Sequence, residues 1–188
     1  SINADFKTDF TGNNLSNIQG NLALQTIELT NSTHTLTVDS VSLTASGIGT
    51  NRSLSISSDI LDAGINGEYD LNTLPSYFKS VVKKYIPSLR TKMVKPSPQN
   101  FDFILQLKNF EPLTLLFIPE LTIPDGATIR GKFVSSENIA TLNAFARTAT
   151  YKGIKVHNFI LDETTSDQAL TLFITSDQID LTDSIYIK

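Results

Sequence analysis

Apolar and polar residues alternate with a period of two along most of this chain, and that pattern constrains the fold more than any other feature. Ile2, Ala4, Phe6, Thr8 and Phe10 interleave with Asn3, Asp5, Lys7 and Asp9. Successive side chains of a strand point to opposite faces, so such a segment is oily on one side and wet on the other. The pattern returns at Leu54 and Ile56, from Ala63 through Ile65 and Tyr69 to Leu71, and from Phe101 through Phe103 and Leu105 to Leu107. It returns again from Ala127 through Ile129 to Phe133. The fold class expected is mainly β, a predominantly antiparallel sheet with one oily face.

Two glycine sites punctuate these runs. Alternation passes unbroken through Asn66-Gly67. That glycine therefore marks a bend or a close backbone approach in preference to a type I′ hairpin turn. Gly47-Ile48-Gly49 lacks the third glycine and following helix of a dinucleotide loop, and reads as a hairpin tip.

One segment reads as a helix. Thr73 stands as N-cap before Leu74–Ile86, and Pro87 stops the run. Leu74, Phe78, Val81, Val82, Tyr85 and Ile86 share a stripe opposite Lys79, Lys83 and Lys84. Packing of that stripe on the sheet, or over an open end of it, is favoured over adsorption to an anionic membrane. Residues 87–98, with Pro87, Pro96 and Pro98, form a linker, and 110–118 holds a short helical turn. One helix cannot cover roughly ten strands, so the sheet is expected to curl on itself into a groove about 48 Å along its axis.

Residues 36–62 align without gaps on residues 154–180. Leu36, Val38, Val41, Leu43, Leu54 and Ile56 meet Ile154, Val156, Phe159, Leu161, Leu172 and Ile174, while Ser58, Asp59 and Asp62 meet Ser176, Asp177 and Asp180 as identities. Apolar parity flips between Val38 and Val41, and again between Val156 and Phe159. A flip requires a bulge or a corner. The organisation read from this is two β-repeats in one continuous sheet: residues 1–98, with the helix and linker, and 99–188, cut before its own helix.

Composition removes several function classes. Hydrophobic residues make up 40% and charged residues 18%, with net charge -4. Such a chain is too apolar for disorder and lacks the basic excess of a nucleic-acid binder. The densest apolar stretch, Leu113–Ile118, falls far below the roughly 18 residues of a membrane span. No signal-peptide pattern opens the chain, which starts without Met and runs as strand-like sequence to Lys188; it reads as a piece of a larger protein. There is no Cys.

Catalytic chemistry finds no foothold. His34 stands between threonines at a turn and His157 at the second parity flip, neither with a partner at motif spacing. Asp177, Asp180 and Asp183 lack EF-hand spacing and its glycine, and turn or cap roles are expected for them. No enzyme activity, cofactor or metal is expected.

The run Asp9-Phe-Thr-Gly-Asn-Asn-Leu-Ser-Asn-Ile-Gln-Gly20 resembles the TamB family of translocation and assembly module proteins, relatives of AsmA. So do Leu54-Ser-Ile-Ser-Ser-Asp-Ile-Leu-Asp-Ala-Gly-Ile-Asn-Gly-Glu-Tyr69, the Leu74-Pro-Ser-Tyr-Phe helix start and Ile123-Pro-Asp-Gly-Ala-Thr-Ile-Arg-Gly131, in the family's order over most of the chain. The resemblance implies a Gram-negative envelope protein anchored in the inner membrane and crossing the periplasm. Its long curved sheet would be apolar inside, a β-taco. It would move phospholipid to the outer membrane and, with an outer-membrane barrel partner, assemble outer-membrane proteins. It implies no catalytic residues, and membrane contact through regions outside this piece.

Alternation nominates Phe6, Phe10, Leu22, Leu24, Leu54, Ile56, Ile65, Tyr69, Phe101, Phe103, Leu105, Leu107, Ile129, Phe133, Ile154, Val156, Leu172 and Ile174 as groove residues meeting phospholipid acyl chains. The two flips leave open which parity of each strand faces inward. The alternative is a structural or adhesive β-repeat whose oily faces close into a dry sandwich.

Overall fold

A computed structural model describes residues 2–12, 18–30, 35–74, 99–112, 114, 118–137, 139–165, 170–182 and 184–188. Beyond Leu74, the expected helix and the linker at 87–98 lie outside the described residues, as do His34 and Asp183.

The strands are β1 (Ile2–Thr11), β2 (Gln19–Thr30), β3 (Thr35–Ser46), β4 (Arg52–Ser58), β5 (Leu61–Glu68) and β6 (Asn100–Leu107). They continue as β7 (Leu121–Thr122), β8 (Ala127–Val134), β9 (Ile139–Tyr151), β10 (Ile154–Thr165), β11 (Leu170–Thr175), β12 (Gln178–Thr182) and β13 (Ile185–Ile187). Among the described residues, all thirteen belong to one open antiparallel sheet in the order β1-β2-β3-β4-β5-β6-β8-β9-β10-β12-β13, with β7 on β9 and β11 on β10. Most strands therefore pair with their neighbour in sequence, so alternation and short connections suffice to specify the meander.

The connections match their residues. Gly47 and Gly49, at φ 82° and 60°, turn β3 into β4, and Asn51 N donates to Ile48 O at 3.1 Å. Gly67 lies inside β5 at φ 121°, and a Cβ there would fall 2.3 Å from Asn100 O. It marks a close backbone approach and no turn. Within 110–118, Glu111, Pro112 and Thr114 are helical, Thr114 N donates to Phe110 O at 3.1 Å and Ile118 N to Thr114 O at 2.7 Å, while 113 and 115–117 lie outside the described residues.

One strand is shorter than its alternation. The pattern runs to Leu71, but β5 stops at Glu68 because Asp70 organises a local turn. Asn72 N donates to Asp70 Oδ1 at 3.0 Å, and the amides of Thr73 and Leu74 donate to the Asp70 carbonyl at 3.2 and 2.9 Å. Side-chain competition of this kind ends strands and starts turns. Tyr69, freed from the ladder, is buried with Phe101 and Phe133, and Leu71 and Leu74 pack on that cluster. The Arg52 guanidinium lies 4.1 Å from the Tyr69 ring centroid, and its Nη1 donates to Tyr69 O at 2.6 Å. Burial still pushes the Tyr69 phenol above its ordinary value.

The parity flips are corners without any slip of register. Leu24 pairs with Val41 and Ile27 with Val38, so β2 and β3 change face together. Ala146 pairs with Phe159 and Ala149 with Val156, so β9 and β10 do the same, with Asn158 at φ 49° between. Past the first corner Leu36 and Val38 are buried against Ile60, with Ile27, Val41 and Leu61 packed around them.

Candidate functional site: an apolar face across the sheet

Register fixes which parity is oily. Leu22 pairs with Leu43, Leu43 with Ile56, Ile56 with Ala63 and Ala63 with Leu105. Leu105 then pairs with Ile129, Ile129 with Ala144, Ala144 with Leu161 and Leu161 with Ile174. One unbroken apolar row thus crosses nine strands, from β2 to β11. A second runs beside it through Ala45, Leu54, Ile65, Phe103, Gly131, Leu142, Glu163 and Leu172. Glu163 places a carboxylate in that row, and the Thr165 hydroxyl donates to it.

The opposite face is largely hydroxyl, amide and charge. Thr44 Oγ1 donates to Asn21 Oδ1 at 2.9 Å, Ser57 Oγ to Asp62 Oδ1 at 2.7 Å and Asn143 Nδ2 to Asp162 Oδ1 at 2.5 Å. Cross-strand polar pairs like these keep that side wet and in register. Ile104, Phe145, Ile160 and Phe173 interrupt it as exposed apolar residues, which alternation did not reveal.

At the centre of the oily face is a cavity of about 380 Å³ lined by Leu54, Ile56, Ala63, Gly64, Ile65, Leu74, Phe101, Phe103, Ile104, Leu105 and Leu142. Its lining carries no charged or polar side chain. That volume lies within the range of small-molecule sites, and the lining suits hydrocarbon.

Leu54, Ile56, Ile65, Phe101, Phe103 and Leu105 of the nominated residues come together at this cavity. Leu22, Ile129, Leu172 and Ile174 extend the rows away from it, while Leu24 and Val156 stand at the corners. Tyr69, Leu107 and Phe133 are buried and do not line the cavity. Ile154 is exposed beside the β9–β10 turn. Phe6 and Phe10 pair through their backbone with Leu24 and Gly20, and their side chains lie outside the description. Leu43, Ala63, Leu142 and Leu161 complete the rows without having been nominated. Ala63 carries little apolar signal, whereas Leu43 and Leu161 were already visible in the internal alignment.

Two charged pairs bridge separate elements of the sheet. Lys108 Nζ lies 2.6 Å from Asp62 Oδ1, and with the Ser57 hydroxyl it holds the Asp62 carboxyl below its usual value. Asp180 is likewise held down, by the Gln178 amide and then by His157, whose Nε2 is 2.7 Å from Asp180 Oδ2. The turn or cap role expected for Asp180 is corrected: it stands within β12, where pairing with Lys155 brings it beside His157. Asp177 is at a bend, donating its amide to His157 O and accepting from Asn158 Nδ2.

No family model, no curated protein and no solved structure matches this chain.

Proposed function

We propose that this chain presents its apolar face to the acyl chains of phospholipids, holding them along a groove for transfer. The observation that carries the reading is the cavity of about 380 Å³ with its wholly apolar lining, set within two adjacent rows, one of which crosses nine strands. Each methylene moved from water into such a lining gains about 0.8 kcal/mol, so a few carbons suffice for retention. Because the rows offer a continuous surface with little polar chemistry to fix position, a chain could slide along them, and head groups would stay in water.

The finer architecture proposed is a β-taco built from two repeats, with an amphipathic helix over one end. Curvature is supported by unequal exposure: Leu54, Ile56, Ala63 and Ile65 are half-buried, while Ser55, Ser57 and Asn66 on the other face are exposed. The repeat reading is supported by register. Ser42 with Ser57, Leu43 with Ile56 and Ala45 with Leu54 correspond to Ile160 with Thr175, Leu161 with Ile174 and Glu163 with Leu172. The resemblance to the TamB family supports a proposed role within a periplasmic, inner-membrane-anchored protein. Its parent would deliver lipid to, or assist protein assembly in, the outer membrane alongside a barrel partner.

The test is purification without detergent followed by lipid mass spectrometry. Co-purifying phospholipid, removed by Leu105→Lys and retained by Gln106→Lys on the opposite face, is the expected result. Protein free of lipid when isolated from a phospholipid-rich envelope would overturn the reading.

A further inference from the structure

The sheet has a bare edge at β11. Among the described residues β11 pairs with β10 alone, and Thr171 to Thr175 are exposed. Leu172, Phe173 and Ile174 are 50%, 65% and 57% exposed. Residues 170–175 contain no charge, proline or glycine. Those are the devices by which edge strands ordinarily refuse partners. The outer strand β1, by contrast, carries exposed Lys7 and Asp9.

Two observations say what fits there. First, β4 stands on β3 in the register that β11 takes on β10, and the far edge of β4 is occupied by antiparallel β5, with Leu54 opposite Ile65 and Ile56 opposite Ala63. Second, β11 and β12 lie along the same side of β10 in one unbroken register, from Thr165 with Leu170 to Lys155 with Asp180. Antiparallel β13 already occupies the far side of β12, with Ile179 opposite Ile187. The lane beside β11 is therefore continuous with an interface that already exists.

We propose that the β11 edge is a docking site for one extended polypeptide segment, added as an antiparallel strand. The segment is apolar or small at alternate positions, to extend the rows ending at Leu172 and Ile174, and polar between them. Its main chain would supply the hydrogen bonds, and the alternate side chains the register. The main-chain part of this recognition goes beyond the acyl-chain reading, although Leu172 and Ile174, which set the register, also end the rows that reading uses.

The probe is a synthetic peptide of residues 61–68, the sequence of β5, added to delipidated full-length chain. Saturable binding is expected, weakened at least about tenfold by Ile174→Lys and by N-methylation of alternate peptide amides in one phase. Ile174 is exposed, so the variant should keep the parent's far-ultraviolet dichroism. The chain has no cysteine. A peptide carrying cysteine in place of Ile65 should therefore form a disulfide with Leu172→Cys in preference to Phe173→Cys. Absence of binding, preferential disulfide formation with Leu54→Cys, or binding indifferent to Ile174→Lys would overturn the proposal. Self-association of the chain abolished by Ile174→Lys would also overturn it, by assigning the edge to a second copy.

Discussion

The ring of Phe103 lies over Gly131, its cross-strand partner, so closely that a Cβ at Gly131 would fall 2.6 Å from Phe103 Cε1. The same Cβ would fall 2.3 Å from Thr141 O, which is backbone and cannot step aside. Glycine at this point lets the Phe103 ring approach the sheet closely while forming part of the cavity wall. Gly131→Ala is expected to destabilise the fold by about 1–3 kcal/mol, as overpacking does. Gly64→Ala is the matched control, since its Cβ meets only Ile104 Cγ2 at 3.5 Å. That change should be neutral or stabilising by up to about 1 kcal/mol. Urea denaturation of the two variants checks both signs.

The core past the first corner gives a larger expected effect. Leu36 is 1% exposed and packs with Val38 and Ile60. Leu36→Ala should cost about 2–5 kcal/mol through lost burial and the cavity left behind. Leu172→Ala, at a half-exposed site, should stay within about 0.5 kcal/mol of the parent. Unfolding midpoints that reversed this order would place the core elsewhere.

How much of this was legible in the sequence depends on what each residue had to report. Alternation located β6 through Phe101, Phe103, Leu105 and Leu107 because a strand with one wet face writes its period directly. It overran β5, because Tyr69 and Leu71 keep the parity while Asp70 between them bends the chain with its own side chain. The flips at Val38–Val41 and Val156–Phe159 were visible, yet only pairing shows that neighbouring strands turn together without slipping. Register likewise joins Leu43, Ala63, Ala144 and Leu161 into one row, a relation between distant strands that no local pattern carries. His157 with Asp180 belongs to the same class: a contact made by β10–β12 pairing and invisible to spacing.

Acid should weaken the fold in a defined direction. Asp62 and Asp180 are both held below the usual carboxylate value of 3.8 in the folded chain. The unfolded chain therefore takes up their protons first as pH falls. The stability they contribute is present above that ordinary value, and it is lost as pH drops through the lower folded values. Thermal unfolding followed from pH 6 down to about pH 2, with pH as the only variable, should show a midpoint whose fall from these two groups begins near the ordinary carboxylate value and continues below it. Asp62→Asn and Asp180→Asn should each flatten the fall, and a double variant should flatten it further. An unchanged slope in the double variant would contradict the assignment.

The acyl-chain account depends on which face meets hydrocarbon, and adjacent residues of one strand separate the two faces. A photo-crosslinking amino acid placed at Leu105 projects into the cavity, and the same group at exposed Gln106 projects into water. Irradiation in a phospholipid-containing envelope, followed by mass spectrometry of the intact chain, reads the contact directly. The account predicts phospholipid adducts at position 105 and none above background at position 106. Equal labelling at the two positions, or adducts at 106 alone, would contradict it.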